Sequence, residues 1–466
     1  TFAAPYYFFP QMLVQRAPGD GMSFYGTRFQ GGYAPAHYLK QYLPPFKSVD
    51  ELTAQAKQAG FDSWVGYLRF KNNWSLNPDL PVVTAWKTVR PANTGTWVLE
   101  RNPYSIWVDT AGNQLPYIGK IVLTEADNLE VLNLRAIAGN YDYQDRNMEL
   151  QKLPLFIQNQ TKGGYKIHLD PGAWGADMEL KVNLDYKKDP YIGNLLANVN
   201  FRRAFSLGIN RDQINQAFWL GLGTPGSPLP KDANEYFPGK EYRTLWHTYE
   251  PQMANQMLDD IGLTKRDAEG YRLRPDGTGR ITIQITTISG AFLDYAQIAE
   301  MIKQQLKDIG LQITISNVDR NLENQQGLAN QVQMLAWAND TSESPFTTNH
   351  AVLPNDLNGF VPDPEFAKWY LSDGKSGDTP PSYMQEAMKM FREGYGATDE
   401  QRIELGKKIW ILLAENLWDI GIVGLSPAQN GVRVVKDGLE NTPQRQFNSN
   451  LVRAPGGSVP EQFYWQ

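Results

Sequence analysis

The sequence predicts an α/β architecture with more than one lobe, and three observations carry that expectation. The segment 281–318 reads as strand, helix, strand: "ITIQITTI", then "YAQIAEMIKQQLKDIG", then "LQITISNV". Two strands joined by a single helix want a parallel pair with a right-handed crossover. The chain has 466 residues, too many for one core and enough for roughly three domains of ~150 residues. Segments of helical and strand period alternate along most of its length.

Taken in order, the first ~115 residues are rich in Pro and Tyr. The stretch 47–60, "KSVDELTAQAKQAG", predicts an amphipathic helix with Val49, Leu52 and Ala56 on one face and Gly60 as its stop. In 96–126 the pattern predicts a strand, an Asn-Pro turn, a second strand, a Thr-Ala-Gly-Asn loop and a third strand in "KIVLTEA". A helix over 128–139 stopped by Gly139 and a short strand at 141–143 follow. "ELKVNLDY" (179–186) alternates as a strand, and "LANVNFRRAFSLGI" and "RDQINQAFWLG" read as successive helices. Asn210 is placed to cap the second, with Gln213 completing a capping box and Gly221 ending it.

"EPQMANQMLDDIGL" (250–263) predicts a helix with Met253, Met257, Leu258 and Ile261 on one face. A hairpin-like entry at 269–280 leads into the strand–helix–strand run, then a polar helix over 323–331 and the strand "QVQMLAW". Helices are expected at 363–371, 381–395 and 399–417, and strands in "IGIVGL" and "GVRVVKDG". The segment 409–425 carries Glu415, Asn416 and Asp419. That interrupts the ~20 apolar residues a membrane span needs, so a buried helix running into a strand is expected, in a soluble protein.

Composition narrows the function. A net charge of −6, from 44 basic and 50 acidic residues, argues against nucleic acid and anionic membrane. The absence of cysteine removes disulfides, thiolate metal sites and thiol nucleophiles, and suits an oxidising compartment such as a bacterial cell envelope. The opening "TFAAPYYFFPQML" reads as a processed or truncated start. With 13 Trp, 23 Tyr and 20 Phe, the chain has aromatics to spare for both a core and a ligand cleft.

Catalytic signatures are missing. His37, His168, His247 and His350 show no metal-ligand spacing, and neither a G-x-S-x-G elbow nor a phosphate loop is present. "GLGTPG" (221–226) follows a helix rather than a strand, against a dinucleotide site. Asp259/Asp260 and Asp363/Glu365 sit at expected helix ends, where capping explains them. "DGTG" and "DTAGN" lack the spaced ligands of calcium loops and read as turns. No cofactor or metal is expected. "WANDTSESPF" (337–346) is different: a strand ends by presenting Trp337 and, three residues on, Asp340. A core Trp followed by an Asp-initiated turn and a ligand-contacting lip both fit those ten residues.

Four blocks in fixed order, "NFRRAFSLGINRDQI" (200–214), "GTPGSPLP" (223–230), "MANQMLDDIGL" (253–263) and "DGTGRITIQI" (276–285), resemble bacterial extracellular solute-binding proteins of the oligopeptide/dipeptide type, family 5, which serve ABC importers. "TGTWVLERNPYSIW" (94–107) and "APAHYLKQY" (34–42) resemble further blocks of that family. Asn210 stands where an Asp commonly precedes Arg-Asp, and either residue caps a helix.

The resemblance implies a periplasmic-binding-protein-like fold: two α/β lobes joined by a hinge, with a small extra domain. On these numbers it places a remnant of the small domain and the start of the first-lobe return at 1–115, the first lobe at 116–245, the second at 246–425, and a return to the first lobe at 426–466. It implies a binder rather than an enzyme, periplasmic or extracellular, membrane-associated through the transporter's membrane subunits. Family members carry well over a hundred residues before the block at Ala34. The expectation is therefore a chain truncated at its N-terminus, its missing fragment of the same precursor docked non-covalently. In the peptide-binding members a Trp-x-x-Asp faces the cleft, the Asp pairing with the peptide's α-amino group. That pattern falls on Trp337 and Asp340, for an oligopeptide ligand. An oligosaccharide or opine-like sugar conjugate is the alternative, with Trp369 and Trp410 as further aromatics, and a glycosidase-like hydrolase is a remote third.

Overall fold

The computed structural model describes residues 35–291, 293–339, 342–343, 345–346, 352–357, 362–449 and 458–466. Its strands are β1 Trp86–Arg90, β2 Thr96–Arg101, β3 Lys120–Thr124, β4 Tyr143–Gln144, β5 Tyr165–Leu169, β6 Met178–Val182, β7 Thr224–Pro225, β8 Thr282–Ile288, β9 Gln312–Val318, β10 Met334–Trp337, β11 Asp419–Gly424, β12 Val432–Lys436, β13 Leu439–Glu440 and β14 Tyr464–Trp465. The helices of eight residues or more are α1 Val49–Gln58, α2 Trp64–Lys71, α3 Leu129–Ile137, α4 Leu153–Gly163, α5 Pro190–Ala197, α6 Val199–Leu207, α7 Arg211–Trp219, α8 Pro251–Asp260, α9 Tyr295–Lys307, α10 Arg320–Leu328, α11 Pro364–Leu371, α12 Ser382–Gly394 and α13 Asp399–Asn416.

The chain divides into two compact units. One comprises 146–155 and 169–433; the other comprises 35–145, 156–168 and 434–466. The first is built on a six-stranded mixed sheet in the order β7-β11-β6-β10-β8-β9. Strands β8 and β9 pair in parallel through seven residues, Thr282 against Gln312 to Ile288 against Val318. That is the crossover expected from the sequence. Helix α9 packs on β8, β9 and β10 through Ile298, Ile302 and Leu306, and α10 packs on β8. The second unit carries the antiparallel sheet β1-β2-β3, the sheet β4-β12-β5 and the pair β13-β14. Leu39, Tyr42, Trp74, Leu80 and Leu99 form a core cluster beside the first of these.

Several local expectations are corrected. Helix α1 opens with a full Ser48–Glu51 capping box and buries Leu52 and Ala56, but Val49, in its first turn, is half-exposed. The middle strand expected after Asn102-Pro103 is instead a tight loop with a single bridge, Val108 to Gln114. The Gln114 side chain donates to the carbonyls of Pro103 and Ser105, and Asp109 accepts from the amides of Ala111 and Asn113. Side chains thereby take groups a partner strand would have paired. The third strand of that sheet is β1, which the sequence pattern missed. The strand expected over 179–186 ends at Val182, and Met253 of α8 points to solvent, 50% exposed.

The helix expected from Leu196 is split at Asn198. Its carboxamide caps α6 through the amides of Asn200 and Phe201, leaving α5 as a separate helix started by Asp189. At α7, Asn210 caps the amide of Gln213 as expected, but the box is not reciprocal. The Asn210 amide is accepted by Gln305 of α9 at 3.0 Å, and Gln305 also donates to the Gln213 side chain at 2.9 Å. A tertiary contact takes the place of the local one.

Candidate functional site

Every residue of β10 is buried, and the strand is centred between β6 and β8. Its parallel pairing with β8 and antiparallel pairing with β6 bring the carboxyl ends of β8, β9 and β10 and the start of β6 to one end of the sheet. In open α/β sheets the carboxyl ends of the strands are where ligands are met.

Trp337 closes β10 and stands opposite Glu179 of β6. Directly opposed residues share a face. The same face therefore carries Lys181, two residues on, and Asp419 of β11, which opposes Lys181. Lys181 Nζ lies 2.8 Å from Glu179 and 3.9 Å from Asp419, all three buried. Burial pushes the Asp419 carboxyl up to about 6 against the pull of Lys181. Beneath Trp337 there thus runs a buried row of charges that neutralise one another in part.

Trp337 itself is 5% exposed. The Tyr295 ring lies 5.7 Å from it at a 54° tilt, and the Arg320 guanidinium sits 4.8 Å from the ring centroid. Arg320 is the first residue of α10 and is solvent-exposed, so a cation–π contact ties an exposed charge to a nearly buried indole. After β10 the chain is riveted by Asn339. Its amide oxygen accepts from Ala176 N at 2.8 Å, and its amide nitrogen donates to Pro228 O at 2.6 Å.

Beside these sits Asp177, immediately before β6 and fully buried. Its carboxylate accepts from Trp174 Nε1 at 3.2 Å, from Trp219 Nε1 at 3.0 Å and from the Ser426 hydroxyl. Tyr295 donates its hydroxyl to the Asp177 carbonyl at 2.9 Å. Desolvation lifts this carboxyl to about 6, although three donors hold it down. The arrangement fixes the sheet end and spends Asp177 on that task.

Of the two residues singled out from the sequence, Trp337 is at the carboxyl end of β10, and Asp340 lies outside the described residues. Trp410 is fully buried in α13, as a core residue, and Trp369 is partly buried on α11. Sequence reasoning missed Asp177, Arg320 and Asn339. Arg320 carried a usable signal, since it follows directly on a strand whose carboxyl end is shared with β10. Among the described residues no group of three or more His, Asp or Glu could hold a metal ion, and no helix is long and apolar enough to cross a membrane.

Residues 35–359 match the family model of bacterial extracellular solute-binding proteins, family 5, middle region. The chain belongs to this family. Among its relatives, the periplasmic alpha-galactoside-binding protein of Rhizobium meliloti (strain 1021) is 24% identical over 417 residues, which is 85% of this chain and 55% of the relative. A probable ABC transporter-binding protein of Deinococcus radiodurans is 28% identical over 264 residues, 54% of this chain and 42% of its own. The chain therefore spans about half the length of these two relatives. Among solved structures, the oligopeptide-binding protein OppA superposes with a TM-score of 0.72 at 27% identity, over all of this chain and 73% of that one. The periplasmic binding protein MelB of Agrobacterium fabrum C58, solved in complex with stachyose, gives 0.68 at 20% identity, over 93% and 62%. The periplasmic-binding-protein-like α/β fold expected from the sequence is thus established.

Proposed function

We propose that this chain is the ligand-capturing part of an extracytoplasmic solute-binding protein that delivers an oligopeptide to the membrane subunits of an ABC importer, without turning it over. The family 5 match supports the transport role. The peptide reading is carried by one observation: Trp337 at the carboxyl end of the central strand β10, with Asp340 three residues on. A buried ammonium needs a desolvated carboxylate partner. Asp177 and Glu179, at the start of β6, are already committed to indoles and to Lys181. On the Trp-x-x-Asp pattern of the peptide-binding members, Asp340 would take the peptide's α-amino group, and backbone hydrogen bonds would hold an extended peptide whatever its side chains.

A second reading, an oligosaccharide ligand, is favoured by the relative named for alpha-galactosides and by the stachyose complex of MelB. Indole faces suit sugar rings as well as peptides. Thermal shift separates the two, because a ligand bound only by the native state raises the melting temperature. Saturable stabilisation by a peptide mixture and none by stachyose supports the first reading, and the opposite result replaces it with the second. Under the peptide reading Asp340→Asn weakens binding about 100-fold, the loss expected when one partner of a buried charge pair is removed. Unchanged peptide affinity in that variant across pH 5–8 would refute the amine pairing.

A further inference from the structure

Helix α10 carries a second group that ordinary packing does not explain. Glu323, one turn after Arg320, is 0% exposed, and neither carboxylate oxygen has a hydrogen-bond partner among the described residues. A buried carboxylate in this position is costly unless it is neutral or paired. The strand beneath the helix offers no countercharge: β8, and its sheet neighbours β9 and β10, contain no ionisable residue. Asp319, the N-cap of α10, is committed to the amides of Asn321 and Leu322. Tyr295, against Trp337, gives its hydroxyl to the Asp177 carbonyl. The charged group that acts on Glu323 is Arg320, three residues earlier, the spacing at which helical side chains meet. Arg320, however, lies over Trp337.

We infer that Glu323 is a positioning residue for Trp337: uncharged, it leaves the Arg320 guanidinium on the indole, and ionised, it pairs with Arg320 and uncovers the ring. Both interactions draw on the same guanidinium. Burial raises the Glu323 carboxyl to about 8, against the pull of Arg320, so the covered state belongs to neutral and acid pH and the uncovered state to mildly alkaline pH. The consequence for ligand capture rests on Trp337 being a ligand contact, as proposed above.

The test uses the ligand-free chain. Near-ultraviolet circular dichroism is followed from pH 6 to 9.5 for wild type and Trp337→Phe, and the difference isolates the Trp337 band. The band is expected to change with a midpoint near pH 8 in wild type, and to stay flat in Glu323→Gln, which mimics the protonated acid, and in Arg320→Gln. A Trp337 band that is flat in wild type, or that titrates equally in Glu323→Gln, overturns the inference. A purely structural Glu323 would leave the indole band unmoved by pH. Should Phe at 337 prevent folding, wild type against Glu323→Gln gives the same two outcomes. Because no ligand is present, a flat titration leaves the ligand reading intact. Failure to bind peptide or stachyose despite a normal titration overturns the ligand reading alone.

Discussion

Arg211 is buried with no carboxylate partner among the described residues. Its guanidinium donates to the carbonyls of Gly421, Ser206, Ile209 and His247 and to the Ser206 hydroxyl, at 2.7 to 3.3 Å. Desolvation lowers it to about 9, which still leaves it charged at neutral pH. Partial charges on five neutral oxygens replace the counterion, and only a planar fork reaches them all. Arg211→Lys keeps the charge and loses the fork, leaving buried acceptors unmet. It is expected to cost about 2–4 kcal/mol in urea denaturation. Glu323 imposes a pH dependence of opposite logic to an ordinary ion pair. Between about 4.5 and 8 the native state keeps a proton that the unfolded chain releases. Wild type therefore loses stability as pH rises through that window. Glu323→Gln is expected to melt progressively above wild type from pH 5 to 8, and an equal gap at both ends would contradict the buried neutral acid.

Helix α7 shows how a local signal is fulfilled by a distant partner. "NRDQ" announces a capping box, and Asn210 does cap Gln213, yet the returning acceptor comes from Gln305 on α9. Gln305→Ala is expected to cost about 1–2 kcal/mol, and Gln213→Ala only a few tenths, read as shifts in the urea midpoint. The reverse order would mean that the helix start is capped locally after all. Strand β11 makes the same point through close approach. A Cβ on Gly424 would fall 2.0 Å from the Gly175 carbonyl oxygen. The glycine that closes β11 thus records a neighbour 249 positions away, as does the hydroxyl that Ser426 gives to Asp177.

Much of the molecule's plan was legible because its signals are contiguous. The run 281–318 states strand, helix and strand within one reading window, and β8, α9 and β9 follow it closely. Trp337 was legible for the same reason, as the last residue of an apolar strand. What stayed hidden depends on juxtaposition. The donors to Asp177 come from positions 174, 219 and 426, and the Glu179–Lys181–Asp419 row needs the register of β6 against β11. Glu323 reads as a solvated residue in "RNLENQQGL", and only the fold reveals that it is enclosed. The loop at 102–109 failed for a different reason: its apolar residues mimic a strand, but Tyr104 is 82% and Ile106 69% exposed, so no core selects them.

Lys436 of β12 donates to the carbonyls of Gly139 and Gly163, which precede it by 297 and 273 residues. During synthesis at about 5–20 residues per second, the earlier carbonyl waits roughly 15–60 s for its donor. Sheet β4-β12-β5 cannot close in that interval, whatever the first unit does. A chain that stops between residues 433 and 436 has the unit of 146–155 and 169–433 complete in sequence and the other unit incomplete. Translation order, and not stability alone, therefore decides which half of this protein is exposed longest to proteases.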